Sequence, residues 1–249
     1  MTGLPDEPWA RLKGLMDRLR TDCPWDREQT HATIAPYTIE EAYEVKEAVD
    51  RGDMDELRDE LGDLLFQVLF QAQIASESGH FDLDDVADGL VTKMVRRHPH
   101  VFGDAEKPDW DGIKAAERAG RPDARTLDGV ALALPALMRA QKLQKRAAKA
   151  GFDWPDVDGP FDKIVEEAAE LRDAPIDKRH EEAGDFLFAA VNLVRKLDLD
   201  AEAALRDANT KFTRRFTAIE DKAGGSLRGL SLDAMEAHWV AVKRDETDE

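Results

Sequence analysis

A single cysteine, Cys23, stands in this chain. One thiol cannot close an internal disulfide, so covalent cross-links hold none of the fold together and a reducing, cytoplasmic setting is the default. No apolar run approaches the ~20 residues of a membrane helix, so no membrane span is expected. The amino-terminal stretch MTGLPDEPWARLK has acids and prolines where a signal peptide needs a basic region and then an apolar one, and it is read as no targeting segment. Basic residues are in deficit: 35 Lys and Arg face 53 Asp and Glu, a formal charge of −18. No basic stripe offsets that excess, and phosphate backbones would be repelled, so no nucleic-acid partner is expected. Two familiar catalytic patterns are missing as well. The phosphate loop GxxxxGK[ST] is absent, and of the two Glu-x-x-His motifs a helical di-iron protein needs, only Glu77 to His80 fits, interrupted by Gly79. Cys23 and the scattered serines have no recognisable partner base, so no covalent nucleophile is called for.

What remains is helical. The chain is rich in Ala, Leu, Glu, Asp and Arg, with 35% charged and 7% aromatic residues, and its 249 residues can hold one large or two modest domains. Trp9 to Arg20 reads as an amphipathic helix with Leu12, Leu15, Met16 and Leu19 inward. A turn follows around Pro24, with Trp25 expected as a core anchor rather than a wall for a flat ligand. Thr38 and Glu41 suggest a capping box that opens a helix ending at Gly52. Asp53 and Glu56 cap the next, which runs toward Gly79, and another spans Asp82 or Asp84 to Arg97. Residues 103 to 128 form a linker with one short helix around Trp110 to Arg118. Beyond it come a basic helix from Pro135, the turn FDWPDVDG, and helices at 160–173, 178–197, 201–221 and 231–245. No segment reads as a strand, and the fold class is all-α.

The acidic residues carry the chemistry. In VEEAAELRDAPIDKRHEEAGD, residues 165–185, Glu167 and Glu170 stand three apart, as do Glu182 and Asp185, which puts both members of each pair on one helix face. Leu171 and Ala174 continue the first stripe, and Asp185 opens FLFAAVNLV, a run expected to be buried, so the acids point inward. Two unit charges ~4 Å apart repel by roughly 4 kcal/mol at an effective dielectric of ~20, a large part of a domain's ~5–15 kcal/mol stability. A divalent cation resolves that conflict. Oxygen-only ligands suit a hard ion such as Mg²⁺, which keeps several waters and meets substrate phosphates. In so acidic a chain, helical acid pairs also arise by accident as solvated faces, and this stretch alone leaves both readings open.

The chain then repeats itself. EEAYEV at 40–45 answers EEAAEL at 166–171, ELGDLLFQVLF at 60–70 answers EAGDFLFAAVN at 182–192, and DGLVTKMVRR at 88–97 answers DANTKFTRRF at 207–216. The preceding turns correspond too, with PWD at 24–26 facing DWPD at 153–156. Three motifs in one order and register favour a shared metal site over accidental acidic faces.

These residues resemble a known family. EExxE followed by ExxD, together with CPWDREQTHATIAPYTIEEAYEV and KMVRRHPHVFG, is similar over nearly the whole chain to the MazG nucleoside triphosphate pyrophosphohydrolases, the two-repeat members of the all-α NTP pyrophosphatase group. The resemblance implies two helical-bundle repeats, 1–120 and 121–249, in a homodimer. It implies Mg²⁺-dependent hydrolysis of NTP or dNTP between the α- and β-phosphates to a nucleoside monophosphate and pyrophosphate. Carried over by position, it implies Glu167, Glu170, Glu182 and Asp185 as catalytic metal ligands, with Glu166 and Glu181 beside them to hold a water or the nucleotide. Lys163, Lys178, Lys211 and Arg215 would meet the phosphates, while Trp239 and Lys243 match the family's base-stacking and closing residues. The first repeat would hold metal through Glu41, Glu44, Glu60 and Asp63, with Lys93 and Arg97 for phosphate.

The repeats differ in ways that matter. Where the second has Lys163 and Lys178, the first has Tyr37 and Glu56, and a triphosphate wants cations at both places. The carboxy-terminal repeat is therefore expected to be the active one. Only 11 residues separate Glu170 from Glu182, against 15 between Glu44 and Glu60, which suggests a shorter helix connection there. The competing reading is a non-enzymatic helical module that binds a partner through solvated acidic faces. Against it stands the basic pair Lys211 and Arg215 behind the acids, which such a face would not require.

Overall fold

The computed structural model describes residues 4–103, 112–113 and 125–246. Among the described residues there are eleven α-helices and no strand, and no helix is long and apolar enough to cross a membrane. The chain divides into two compact units, Met1–Gly120 and Arg121–Glu249. The short helix expected around Trp110 to Arg118 lies outside the described residues, apart from Gly112 and Ile113.

The first unit comprises α1 (Pro8–Asp22), α2 (Pro24–Glu28), α3 (His31–Arg51), α4 (Met54–Glu77), α5 (Leu83–Arg97) and α6 (Pro99–Phe102). Glu7 caps α1 by accepting from the N–H groups of Trp9 and Ala10, and Pro8 occupies a first-turn position where a missing N–H costs nothing. Helix α3 starts seven residues before the expected cap at Thr38: Thr30 and Thr33 bond reciprocally across its first turn, and Pro36 is carried inside. That capping box satisfies donors of the first turn, whereas Pro36, the sixth helical residue, has no N–H to give the Ala32 carbonyl. Gly52 in the left-handed region (φ 69°) ends α3, and Asp53 at once caps α4 through the N–H groups of Asp55 and Glu56. The two long helices therefore fold back as a tight hairpin, with α1 and α5 packed against α4.

The core of this unit is Met16 from α1, Ile34 from α3, Leu69, Phe70 and Ile74 from α4, and Leu83 from α5. Phe70 is wholly buried and meets Phe66 edge to face at 5.7 Å between centroids. Arg20 closes one end of this core, paired with Glu77 at 2.5 Å and lying over the Phe70 ring. The expected core role of Trp25 is not what forms: its ring is 52% exposed and stands edge-on to Tyr37, while its neighbour Asp26 is the buried member of that turn.

The second unit comprises α7 (Ala136–Lys149), α8 (Asp158–Asp173), α9 (Arg179–Lys196), α10 (Ala201–Lys222) and α11 (Leu232–Asp245). Helices α8 and α9 form its hairpin, α7 packs on α9 and α10, and α11 packs on α10. Gln141 of α7 pins the α9–α10 junction with both ends of its amide, donating to the Leu199 carbonyl and accepting from the Ala201 N–H, each at 2.9 Å. Two sequence expectations need correction here. The run after Asp185 is buried on one stripe only: Ala189, Val191 and Asn192 are inside, whereas Leu187 and Phe188 are exposed. The short carboxylate spacing is not a short connection either. Ala174 to Lys178 link α8 to α9, more chain than Gly52 and Asp53 provide in the first hairpin, and it is the flanking helical turns that are missing.

Candidate functional site

The α8–α9 hairpin brings three carboxylates together. Glu167, Glu182 and Asp185 each place an oxygen within 4.8 Å of the others, because the i,i+3 period of both helices turns these positions toward the shared seam. Glu167 is the anchor, only 5% exposed. Four residues before it on α8, Lys163 sets its Nζ 2.6 Å from Glu167 and 2.9 Å from Glu166. Those two carboxylates hold the ammonium well above the ordinary lysine range. Glu170, one turn beyond Glu167, lies outside the three-way convergence. Desolvation raises its carboxyl above the usual value, and the charges of Glu167, Glu166 and Glu182 push the same way against Lys163. Lys178 pairs with Glu181 at 2.8 Å at the start of α9; the contact raises the lysine and lowers the glutamate.

The first unit repeats the arrangement without the lysine. Glu41, Glu44 and Glu60 converge within 4.8 Å, and Tyr37, half-exposed, stands where Lys163 stands in the other unit. Burial first, then the hydrogen bond and charge of Glu44 together with the charges of Asp63 and Glu60, raise Glu41; Glu60 is raised by burial and by Glu44 and Asp63. Gln67 donates to Glu41 at 3.4 Å. Asp63 thus stands beside the three rather than among them. Glu56, opposite Lys178 in the repeat, is tied to Arg51. On α5, Lys93 is exposed and Arg97 half-buried.

Lys211, Arg215, Trp239 and Lys243 lie on α10 and α11. Arg215 bonds Glu246 at 2.6 Å and sits over the Trp239 ring at 5.7 Å, while Trp239 packs on Phe212. The carboxylate that holds Arg215 is therefore Glu246 and not a member of the acidic set; Lys211 and Lys243 are exposed.

A cavity of about 420 Å³ opens beside the second acidic set. Lys163, Glu167 and Asp185 line one part of it, and Asn192 and Arg195 another, two turns or about 10 Å further along α9. Its apolar walls include Leu143, Ala147, Phe152 and Trp154. Asn192, Arg195 and the aromatic pair were not among the residues singled out from sequence. One signal was available: in the repeat alignment Asn192 occupies the place of Phe70, an amide inside an otherwise apolar run.

The acidic sets suit a hard divalent cation. Each offers oxygen ligands only, on two helices, close enough to share one ion. In the second set the buried member, Glu167, is already met by a cationic group, Lys163.

Comparison with known proteins accords with this chemistry. The family model described as the MazG nucleotide pyrophosphohydrolase domain matches residues 29–102. The nucleoside triphosphate pyrophosphohydrolase of Escherichia coli strain K12 is 50% identical over 257 residues, covering 96% of this chain and 98% of that protein. The nucleoside triphosphate pyrophosphohydrolase/pyrophosphatase MazG of Thermotoga maritima is 43% identical over 249 residues, covering 96% and 97%. With relatives this similar along nearly their whole length, and with paired acid-bearing helices in each unit, the chain belongs to the MazG family of nucleotide pyrophosphohydrolases.

Proposed function

We propose that this protein hydrolyses nucleoside or deoxynucleoside triphosphates between the α- and β-phosphates, releasing a nucleoside monophosphate and pyrophosphate, with the second unit as the principal active site. One observation carries the reading: three carboxylates and a lysine converge where a cavity of about 420 Å³ opens. Glu167, Glu170, Glu182 and Asp185 would hold Mg²⁺, which when bound supplies positive charge against the developing charge of the phosphoryl oxygens. Lys163, released from Glu167 as that carboxylate turns to the cation, is placed to bond a phosphate oxygen. Glu166 and Glu181, held by Lys163 and Lys178, flank the set to hold a water or the nucleotide. One of the carboxylates of the set orients the attacking water or takes its proton. Lys178, Lys211 and Arg215 neutralise the leaving pyrophosphate, Arg215 exchanging Glu246 for it. Trp239 and Lys243 belong to the closing helix. The protein acts in the cytoplasm as a homodimer, and the exposed Phe161, Val165 and Leu187 of the α8–α9 hairpin are surface that a second copy would cover.

A second reading has its own support, since the family match at 29–102 falls on the first unit and the Glu41, Glu44 and Glu60 set converges as closely. Here Glu41, Glu44, Glu60 and Asp63 would hold metal, with Lys93 and Arg97 for phosphate. Two missing charge-assisted contacts, each about 1.5–3 kcal/mol, weaken this site at least a hundredfold for a triphosphate. Pyrophosphate release from a nucleotide panel, with and without Mg²⁺, tests the activity. Glu170→Gln should remove nearly all of it and Glu44→Gln little; the reverse ranking would move the active site to the first unit.

A further inference from the structure

The cavity of the second unit leaves the α8–α9 hairpin unfilled on one side. Lys163 and Glu167 of α8 and Asp185, Asn192 and Arg195 of α9 line it, so side chains do not close the space between the helices there. At one end the chain itself joins them, through Ala174 to Lys178. At the other end they are tied by polar contacts that the acidic chemistry does not use.

Arg195, in the last turn of α9, is among the buried residues of the chain. Asp153, in the turn before α8, accepts from its Nη1 at 3.1 Å and its Nη2 at 2.5 Å. Asn192, one turn back on α9, accepts from Nε at 2.8 Å and Nη2 at 2.6 Å, so the guanidinium is held from two sides. Lys196 donates to the Trp154 carbonyl at 2.6 Å, and Trp154 is seated on Gly159 in the first turn of α8, where a Cβ would stand 2.0 Å from the indole. An unbroken path thus runs from the end of α9 to the start of α8. A cation suits any helix C-terminus, but a solvated one would serve that purpose without the cost of burial.

The first unit closes its hairpin in the same place with the charges exchanged. Glu77 is the last residue of α4, and Arg20 of α1 pairs with it at 2.5 Å while donating to the carbonyls of Asp26 and, at 3.0 Å, of Gln29, just ahead of α3. Each hairpin therefore has the end of its second helix tied to the segment before its first. The interiors differ, but both hairpins carry converging carboxylates on their seam.

Resting on the proposed metal site of the second unit, we propose that Arg195 and Asp153 are positioning residues: they hold α8 on α9 at the angle that brings Glu167 to Glu182 and Asp185, with Asn192 bracing the guanidinium. Helix α8 has 16 residues, and Glu167 lies near its middle, so about half of any movement at the tied end reaches that carboxylate. Mg²⁺ demands near-ideal octahedral geometry, and a misplacement of about 1 Å can cost about a hundredfold in rate.

Amide hydrogen exchange on the full-length, metal-free protein tests the tie without a ligand. Arg195→Lys keeps the charge but cannot bond Asp153 and Asn192 together; Asp153→Asn is the milder change and carries the test if the first variant does not fold. Exchange in residues 158–167 should quicken at least fivefold relative to residues 168–173 and to α10. An even quickening throughout the second unit, or none, overturns the inference, because a contact that only adds stability loosens the unit as a whole. Mg²⁺ alone, titrated by calorimetry where the variants remain folded, should bind at least fivefold more weakly, and kcat/KM should fall at least tenfold, mainly through kcat. Wild-type Mg²⁺ affinity in the folded variants likewise overturns it. A wild type that binds Mg²⁺ but releases no pyrophosphate from any nucleotide would instead remove the proposed reaction, and one that binds no Mg²⁺ would remove the metal site; hydrogen exchange reads the tie in either case.

Discussion

Glu167 and Glu170 stand one turn apart on α8 in different surroundings. The first is buried but held by Lys163; the second has its carboxyl raised from the ordinary 4.5, by desolvation and then by its acidic neighbours. A carboxyl that binds its proton more tightly folded than unfolded favours the folded state while protonated, so this stability is lost as pH rises from 4.5 through the raised value. Glu170→Gln should therefore raise the melting temperature of metal-free protein near neutral pH, whereas Glu167→Gln, which removes one of the two carboxylate partners of Lys163, should not. Mg²⁺ titration followed by thermal melting checks both, and a lower metal-free melting temperature for Glu170→Gln would show that repulsion does not dominate there. The spacing of these acids, and of Lys163 four residues before Glu167, was legible in sequence because the helical period fixes which side chains share a face. Asn192 and Arg195 were not legible as a pair. Their role depends on Asp153, 42 residues from Arg195, and nothing local announces that contact.

At the scale of elements, the two hairpins show how much helix boundaries depend on termini rather than on interiors. The spans of α8 to α11 were readable within two residues, because their starts are marked: Gly159 and Pro160 open α8, Pro175 precedes α9, and Asp200 and Ser231 cap α10 and α11. The start of α3 was not: Thr38 and Glu41 mimic a capping box inside a helix that Thr30 and Thr33 had already opened. The end of α3 offers a clean test. Gly52 has φ 69° and nothing within 4 Å of where a Cβ would lie, so Gly52→Ala carries only the left-handed backbone penalty, about 1–2 kcal/mol. Urea unfolding should show that loss with an unchanged m-value and an unchanged stabilisation by Mg²⁺. A larger loss would mean that the turn positions Glu44 and Glu60 and not merely the chain. In the second unit, the contact between the turn before α8 and α9 can be read through pH. Arg195 first, and then Lys196, holds the Asp153 carboxyl below its ordinary 3.8 against some burial. A lowered acid contributes stability that is present above 3.8 and is lost as pH falls through the lowered value. Asp153→Asn should accordingly be less stable than wild type at neutral pH, with the gap closing in strong acid; a gap independent of pH would assign the effect to packing.

For the molecule as a whole, the repeat in the sequence pointed to two acidic sets, and each compact unit contains one of them. What the sequence did not announce is how differently the two interiors are made. The first unit is sealed by an apolar cluster around Phe70, with Arg20 and Glu77 at its edge; the second carries Gln141, Gln144, Asn192 and Arg195 among its buried residues. Separately expressed segments 1–120 and 128–249 should each be largely helical by circular dichroism, since each holds a complete hairpin and the helices packed on it. Their stabilities should nevertheless respond differently to concentration. Buried polar groups give less net stabilisation than apolar ones of similar size, and the exposed Phe161, Val165, Leu187 and Phe188 lie in the second segment. Its melting temperature should rise with protein concentration, because association stabilises the folded form by mass action, and sedimentation should show a dimer. The first segment also exposes Leu61, Leu65 and Val68 on α4, so it too should self-associate, but its more apolar core leaves it less dependent on doing so. If neither segment folds at any concentration, the two repeats form one interlocked core and the domain division fails. If only the first folds, the polar interior of the second requires its neighbour, and the E170Q and E44Q comparison must be made in the intact chain alone.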